Sequence, residues 1–417
     1  MRRLISRLLP DPGPGRVLVL CTAVASLGNG LYVTGGAVYF VQVVGLSAGQ
    51  VGLGLSLAGI VALALGVPAG KLADRIGPRE VSALFVLGKA AALVAAVFVQ
   101  SLWAYLAMSV VLGLFEQSGN VSRDALVSGV MGREGRVWIS AYMRSVFNGG
   151  FSLAALAAGL VIAADSRPAY LALLWGNALA MVLVAGLYLR LPRVPGIPRA
   201  PRDQQPRAAV RDVPYLLVAQ LAGIARIGPT ALAVGLPLWL VVQTDAPRAL
   251  AAWIMLINTL MVVFLQVRMA RDADTVRGAA RLQRLTAVVL AVACGVTAVT
   301  GALPGWASAV VLLGAAVLFT FGEIWGEAAR WGLRYELAPA NVQGEYLGAF
   351  ATGDAFALIA GPALVTAVPD RFGGLGWLLI GGLFLGLLAA SGPAVRWAER
   401  TRVPAGLPVP VGAGKAS

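Results

Sequence analysis

Long apolar runs alternate with short polar breaks along the whole chain, and glycine and proline gather in the breaks. Six runs fill the first half, at 17–44, 51–69, 81–99, 102–121, 138–163 and 170–191. Six more follow at 213–242, 250–267, 285–302, 306–331, 346–368 and 374–395. At roughly 1.5 Å of rise per helical residue, runs of this length reach across a hydrocarbon layer of about 30 Å. The pattern predicts an all-α membrane protein with twelve transmembrane helices in two six-helix pseudo-repeats. It divides the chain into a cytoplasmic tail (1–16), an N-terminal bundle (17–191), a cytoplasmic linker (192–212), a C-terminal bundle (213–402) and a disordered, Pro- and Gly-rich cytoplasmic tail (403–417). The linker is too polar to insert and too rich in proline to form one helix.

Composition agrees: 59% of the 417 residues are hydrophobic, 12% are charged, and mean hydropathy is +0.80. Soluble globular chains do not have this make-up. A formal net charge of +14 would point to nucleic acid in a soluble protein, but here the basic residues sit between apolar runs and read as topology signals. Among the 33 Lys and Arg, only Arg167, Arg248 and Arg371 fall in the loops of one side, and only Lys89, Arg144 and Arg226 fall well inside runs. The others lie in the termini, in the loops of the opposite side and at the run ends beside them, which places both termini in the cytoplasm; a multi-pass protein of the bacterial plasma (inner) membrane is the expectation.

There is no histidine, and the two cysteines, Cys21 and Cys294, both lie within apolar runs. Disulfide frameworks, zinc sites and His-based proton chemistry are therefore not expected, and any proton carrier must be a carboxylate. No Gly-rich phosphate loop and no nucleophile-base pattern is present, so neither ATP use, a cofactor nor an enzyme is expected. The expected partners are the lipid bilayer, protons and a small-molecule substrate, with no nucleic acid, and the chain is expected to act as a monomer.

A charge at the middle of a bilayer costs about 3 kcal/mol on insertion scales and asks for a partner or a wet cavity. Glu116 lies about 10 Å from the inner end of the fourth run at helical rise, level with Arg144 in the fifth, which predicts a pair. Asn148 continues the polar stripe one turn beyond Arg144. Arg226 lies deep in the seventh run, and Glu323 and Asp354, at matching depth in the tenth and eleventh, are both within reach of a long Arg side chain, with Arg226 and Glu323 one expected pair. Glu327 shares a face with Glu323. The proton-coupling candidates are thus Glu116, Arg144, Glu323 and Asp354. Arg144 would tune the Glu116 carboxyl, and a fixed clamp between helices is the competing reading.

Two patterns support a duplicated plan. Glu116-x-x-Gly119-x-x-x-Arg123 and Glu323-x-x-Gly326-x-x-x-Arg330 share their spacing and their place in each half. Gly28-Asn29-Gly30 in the first run and Gly228-Pro229 in the seventh are expected interruptions near a midplane site.

The charged segment Gly70-Lys71-Leu72-Ala73-Asp74-Arg75-Ile76-Gly77-Pro78-Arg79 lies between the second and third runs. It resembles the signature loop of the major facilitator superfamily, Gly-x-Leu-Ala-Asp-Arg-x-Gly-Arg-Arg/Lys. Eight of the ten positions agree well, and Pro78 stands where a base is usual. The resemblance extends over the hydrophobic body and identifies the chain as similar to bacterial, efflux-type members. It implies that runs one, four, seven and ten line a cavity bearing Asn29, Tyr32, Asn120, Arg226 and Glu327, with Asn148 close by. It also implies a conformational lock made of Gly70, Asp74, Arg75, Gly77, Arg79 and Asp124. Asp74 would cap the eleventh helix near Gly344 to Tyr346, and Arg75 would meet Asp124. Lys89, on a peripheral run, has no role in that scheme.

The Gly-Pro signature of drug antiporters is missing from the fifth run, which reads Phe147-Asn-Gly-Gly-Phe151. The function expected is secondary active transport by alternating access. Proton-coupled export of a small amphipathic drug or secondary metabolite is preferred, on the expectation of an apolar, aromatic-bearing cavity. The alternatives are a uniporter or symporter importing a polar nutrient, and a transport-inactive membrane sensor.

Overall fold

A computed structural model of the protein describes residues 13–163, 166–196 and 209–401. Most of the N-terminal tail, the middle of the linker and the C-terminal tail expected above lie outside these residues. The described chain is helical throughout. The first half comprises α1 (Pro14–Gln42), α2 (Ala48–Ile76), α3 (Pro78–Ala96), α4 (102–131), α5 (133–163) and α6 (Arg167–Tyr188). The second comprises α7 (Val213–Gln243), α8 (Leu250–Met269), α9 (Val276–Ala298), α10 (Gly305–Glu336), α11 (Gln343–Phe372) and α12 (Gly374–Arg400). Eight of these are long and apolar enough to cross a membrane, and α2 adds a ninth as a span bent by 45° near residue 63.

The helices run past the apolar stretches that predict them, and this corrects the reading of residues 70–79 as a turn. Lys71, Asp74 and Arg75 lie on α2 itself, and the turn is Gly77 alone, at φ 115°. A side chain is strained at that angle, and a Cβ would also press on the Val194 carbonyl at 2.9 Å. Pro78 opens α3, where its missing N–H costs no hydrogen bond. In the same way Gly132, at φ 65°, is the only break between α4 and α5.

Contacts within each half follow one order. α1 packs on α5 and α6, α3 on α4 and α6, and α2 on α4; α7 packs on α11 and α12, α9 on α10 and α12, and α8 on α10. The glycines of α1 serve this packing. A Cβ at Gly28 would meet Asn177 and one at Gly30 would meet Phe151, both under 3 Å. α1 therefore runs unbroken through Gly28-Asn29-Gly30, against the expected interruption, because small residues there admit neighbouring helices. The second expected interruption is present: beyond Gly228-Pro229, α7 widens into a π-turn at Ala231–Gly235.

Three apolar clusters fill the interior. One belongs to the first six helices and includes Leu18, Phe40, Leu93 and Met181. Another has its core in the last six, around Tyr215, Phe319, Trp377 and Phe384. The third draws on both halves, joining Ala73, Val81 and Val137 to Ala273, Trp331, Tyr335 and Leu347. It lies at the end of the bundle that carries Asp74 and Gly77, the basic end, and among the described residues no other cluster is shared in this way.

The halves also meet along α2 with α11 and α5 with α8. On the first contact Gly66 and Gly70 of α2 face Gly348 and Gly344 of α11, a small residue at every fourth position of both helices. A Cβ on Gly70 would lie 1.9 Å from the Gly344 carbonyl oxygen. Overpacking of this kind costs about 1–3 kcal/mol. Gly70→Ala is therefore expected to lower the thermal unfolding midpoint of the purified protein. Gly59→Ala on the same helix, where a Cβ meets nothing within 4 Å, should leave it unchanged or raise it.

Candidate functional site

A cavity of about 380 Å³ lies between the halves, floored at the basic end by the shared cluster. Its wall is formed by α1, α4 and α5 on one side and by α7, α10 and α11 on the other. Asn29, Glu116, Asn120, Arg144, Arg226, Glu327, Asp354 and Asp124 line it, as do Arg123, Arg330 and Arg334. Tyr32, Asn148 and Glu323 do not reach its surface. The wall carries five guanidinium groups and four carboxylates, with Met143, Phe147 and Trp331 among its apolar members. The lining is thus charged rather than the apolar surface expected from sequence.

Glu116 and Arg144 do not pair. Glu116 holds Lys89, whose ammonium reaches in from α3 and also donates to Asn29 Oδ1 at 2.8 Å. Nearly half of the Glu116 side chain, 46%, remains open, and Asn120 Nδ2 lies 3.5 Å from its second oxygen. Arg144 instead crosses to the other half and donates to Glu323 at 2.8 Å, where Asn258 Nδ2 donates to the second carboxylate oxygen at 2.8 Å. Depth along a helix brought Glu116 and Arg144 level, but the rotation of each helix decides the partner. Next to Arg144, Asn148 Nδ2 is buried without a hydrogen bond.

Of the two acids expected within reach of Arg226, Asp354 lies beside it and Glu323 does not. Arg226 donates to Glu327 at 2.8 Å and lies 3.6 Å from Asp354, while Arg330 reaches Glu327 at 3.2 Å and Asp354 at 3.0 Å. Two cations and two carboxylates so close a ring across α7, α10 and α11. Glu327 is its buried member, with 5% of the side chain exposed against 29% for Asp354.

The basic end is held by polar contacts between the halves. Asp74 accepts from the backbone amides of Gly344 and Glu345, at 2.8 and 2.9 Å, at the start of α11. A carboxylate at free helix-terminal amides is favoured by both hydrogen bonding and the helix dipole. Lys71 lies 3.5 Å from Glu345. The expected meeting of Arg75 and Asp124 does not occur. Arg75 is exposed, whereas Asp124 accepts from Arg334 at 2.7 Å and lies 3.4 Å from Arg123. Arg136 pairs with Glu336, and the Arg136 and Arg334 guanidiniums both lie over the Tyr335 ring, at 5.3 and 4.7 Å from its centre. Arg79 turns away from the interface and donates to the Leu191 carbonyl.

Sequence reasoning left Lys89, Arg334 and Asn258 without roles. Lys89 was marked by its charge in an apolar run. The duplicated spacing of Glu, Gly and Arg pointed to Arg123 and Arg330, which line the cavity from α4 and α10.

Two helical halves, closed against each other at one end over a charged central cavity, are the build of a membrane transporter. The sequence profile of the Major Facilitator Superfamily matches residues 18–362, and the chain belongs to that superfamily. It is accordingly a multi-pass membrane protein, and membership indicates a transporter rather than an enzyme. No curated sequence relative matches it. Among solved structures it is similar to a bacterial homologue of the iron transporter ferroportin in an outward-facing state, with TM-score 0.71, 15% identity, and coverage of 93% of this chain and 99% of that one. The human organic anion transporter MFSD10 gives 0.63, 16%, 92% and 99%. The proton:xylose symporter XylE gives 0.68, 13%, 92% and 96%. At these identities the likeness is one of fold.

Breaking a buried ion pair costs about 3–5 kcal/mol, and a solvated one far less. Glu327→Gln is therefore expected to lower the thermal midpoint of the purified protein more than Asp354→Asn does. Equal effects would mean that the ring is uniformly wet.

Proposed function

We propose that the protein is an alternating-access secondary transporter whose twelve helices all cross the membrane as two six-helix repeats, and that it moves a small hydrophilic, charge-bearing solute coupled to protons. The observation that supports this reading is the charged cavity between the halves, closed at the basic end by Asp74 on α11 and by Arg334 on Asp124. By the positive-inside rule the basic end is cytoplasmic. This form is then open to the far side, with both termini in the cytoplasm of a bacterial plasma membrane. Transport requires the contacts of the basic end to part while the far ends close.

Glu116 is the proposed proton carrier. Its carboxylate is shared between Lys89 and the open cavity, so protonation would release Lys89 and change the charge of the N-terminal wall. Arg144, Glu323 and Asp354 are each less open than Glu116, at 28%, 8% and 29% of the side chain, and act in this reading as the framework around it. The charged lining favours a polar solute over an amphipathic drug. Export in exchange for protons and import with them use the same acid.

In everted vesicles under an imposed pH gradient, a panel of small organic acids and zwitterions is expected to include compounds that drive proton movement. Glu116→Gln should abolish that movement while leaving exchange of the same solute at equal pH. Proton movement that persists in the variant removes Glu116 as carrier, and binding without flux by the wild type would favour a sensor.

A further inference from the structure

Charge around the cavity balances except at one residue. Glu116 answers Lys89, Glu323 answers Arg144, Asp124 answers Arg334 at 2.7 Å, and Glu327 with Asp354 answers Arg226 and Arg330. Arg123 is left. Among the described residues its one ionic contact is the Asp124 carboxylate at 3.4 Å, already held more closely by Arg334. Its Nε is buried without a hydrogen bond, and 36% of its side chain is open where it lines the cavity.

The duplicated plan shows how this arises. Arg330, at the same place in the second half, has two carboxylates, at 3.2 and 3.0 Å. One is Glu327, four residues after Glu323; the position four residues after Glu116 is Asn120. The other, Asp354, lies near the middle of α11, and the comparable stretch of α5, Phe147-Asn-Gly-Gly-Phe151, has no acid. The N-terminal wall thus keeps the guanidinium and lacks both of its counter-charges. A cation in a low-dielectric wall draws an anion.

We infer that Arg123 anchors the anionic group of the transported solute, and that the solute is a small organic monoanion of the carboxylate type. A guanidinium presents paired donors that match a carboxylate. Met143, Phe147 and Trp331, on the same wall and the one facing it, offer apolar surface to the rest of the molecule. The volume of about 380 Å³ falls within the range of small-molecule sites. This assignment rests on the transporter reading for the word transported, but the anion site stands or falls separately.

The test uses the full chain in lipid nanodiscs, with thermal unfolding followed in benzoate or lactate, in benzamide or lactamide, and in benzylamine, at equal ionic strength. At least one carboxylate should raise the wild-type midpoint above its own amide, by about 2 °C when it exceeds its Kd tenfold. Arg123→Gln should abolish the difference and Arg123→Lys should retain part of it. Asn120→Asp, which supplies the missing acid and keeps the guanidinium, should also abolish it, and this guards against a folding defect in Arg123→Gln. The inference is overturned if no carboxylate exceeds its amide, if benzylamine is the better ligand, or if Asn120→Asp leaves carboxylate binding intact. Counterflow of the labelled acid in proteoliposomes is read separately. Carboxylate binding without counterflow would remove the transport reading and leave the anion site.

Discussion

Charge inside a low-dielectric layer must be answered, and this constraint orders the centre of the molecule. Each acid facing the cavity has a cation within a few ångströms, drawn from another helix or from the next turn. The pairs do more than cancel cost. Glu323 with Arg144 ties α10 to α5 across the two halves, and the ring of Arg226, Glu327, Arg330 and Asp354 ties α7, α10 and α11 within one half. Breaking any of these singly strands a partner.

The basic end meets a different requirement. Two helices approach backbone to backbone only where side chains are absent, and Gly66, Gly70, Gly344 and Gly348 provide that approach between α2 and α11. The closeness puts Asp74 within reach of the first amides of α11. Around this contact lie the half-exposed pair of Lys71 with Glu345 and the buried pair of Asp124 with Arg334. Tyr335, between two guanidiniums, fills the space beneath the cavity. The seal combines close packing with polar contacts between the halves.

The two halves carry the same plan with different charge. In the C-terminal wall the ring of Arg226, Glu327, Arg330 and Asp354 is neutral and closed on itself, which suits a scaffold. The N-terminal wall holds a half-open acid, an ammonium reaching in from a peripheral helix, and a guanidinium without a full partner. The solute and proton chemistry proposed above falls on that side, and the pairing of Arg144 with Glu323 links it to the other.

Sequence alone determined the apolar runs, the placement of basic residues between them, the duplicated Glu, Gly and Arg spacing, and the likeness of residues 70–79 to a family signature. These depend on composition and on periods along one chain, which a linear reading preserves. The meeting of Asp74 with the start of α11 was legible through that likeness. The partners of Glu116, Arg226 and Asp124 were not, because depth along a helix is fixed by residue number whereas the direction of a side chain is fixed by how the helix is turned against its neighbours. Lys89 shows the difference most plainly. Its charge announced a partner, but only the packing of α3 on α4 and the reach of the side chain brought the ammonium to Asn29 and Glu116.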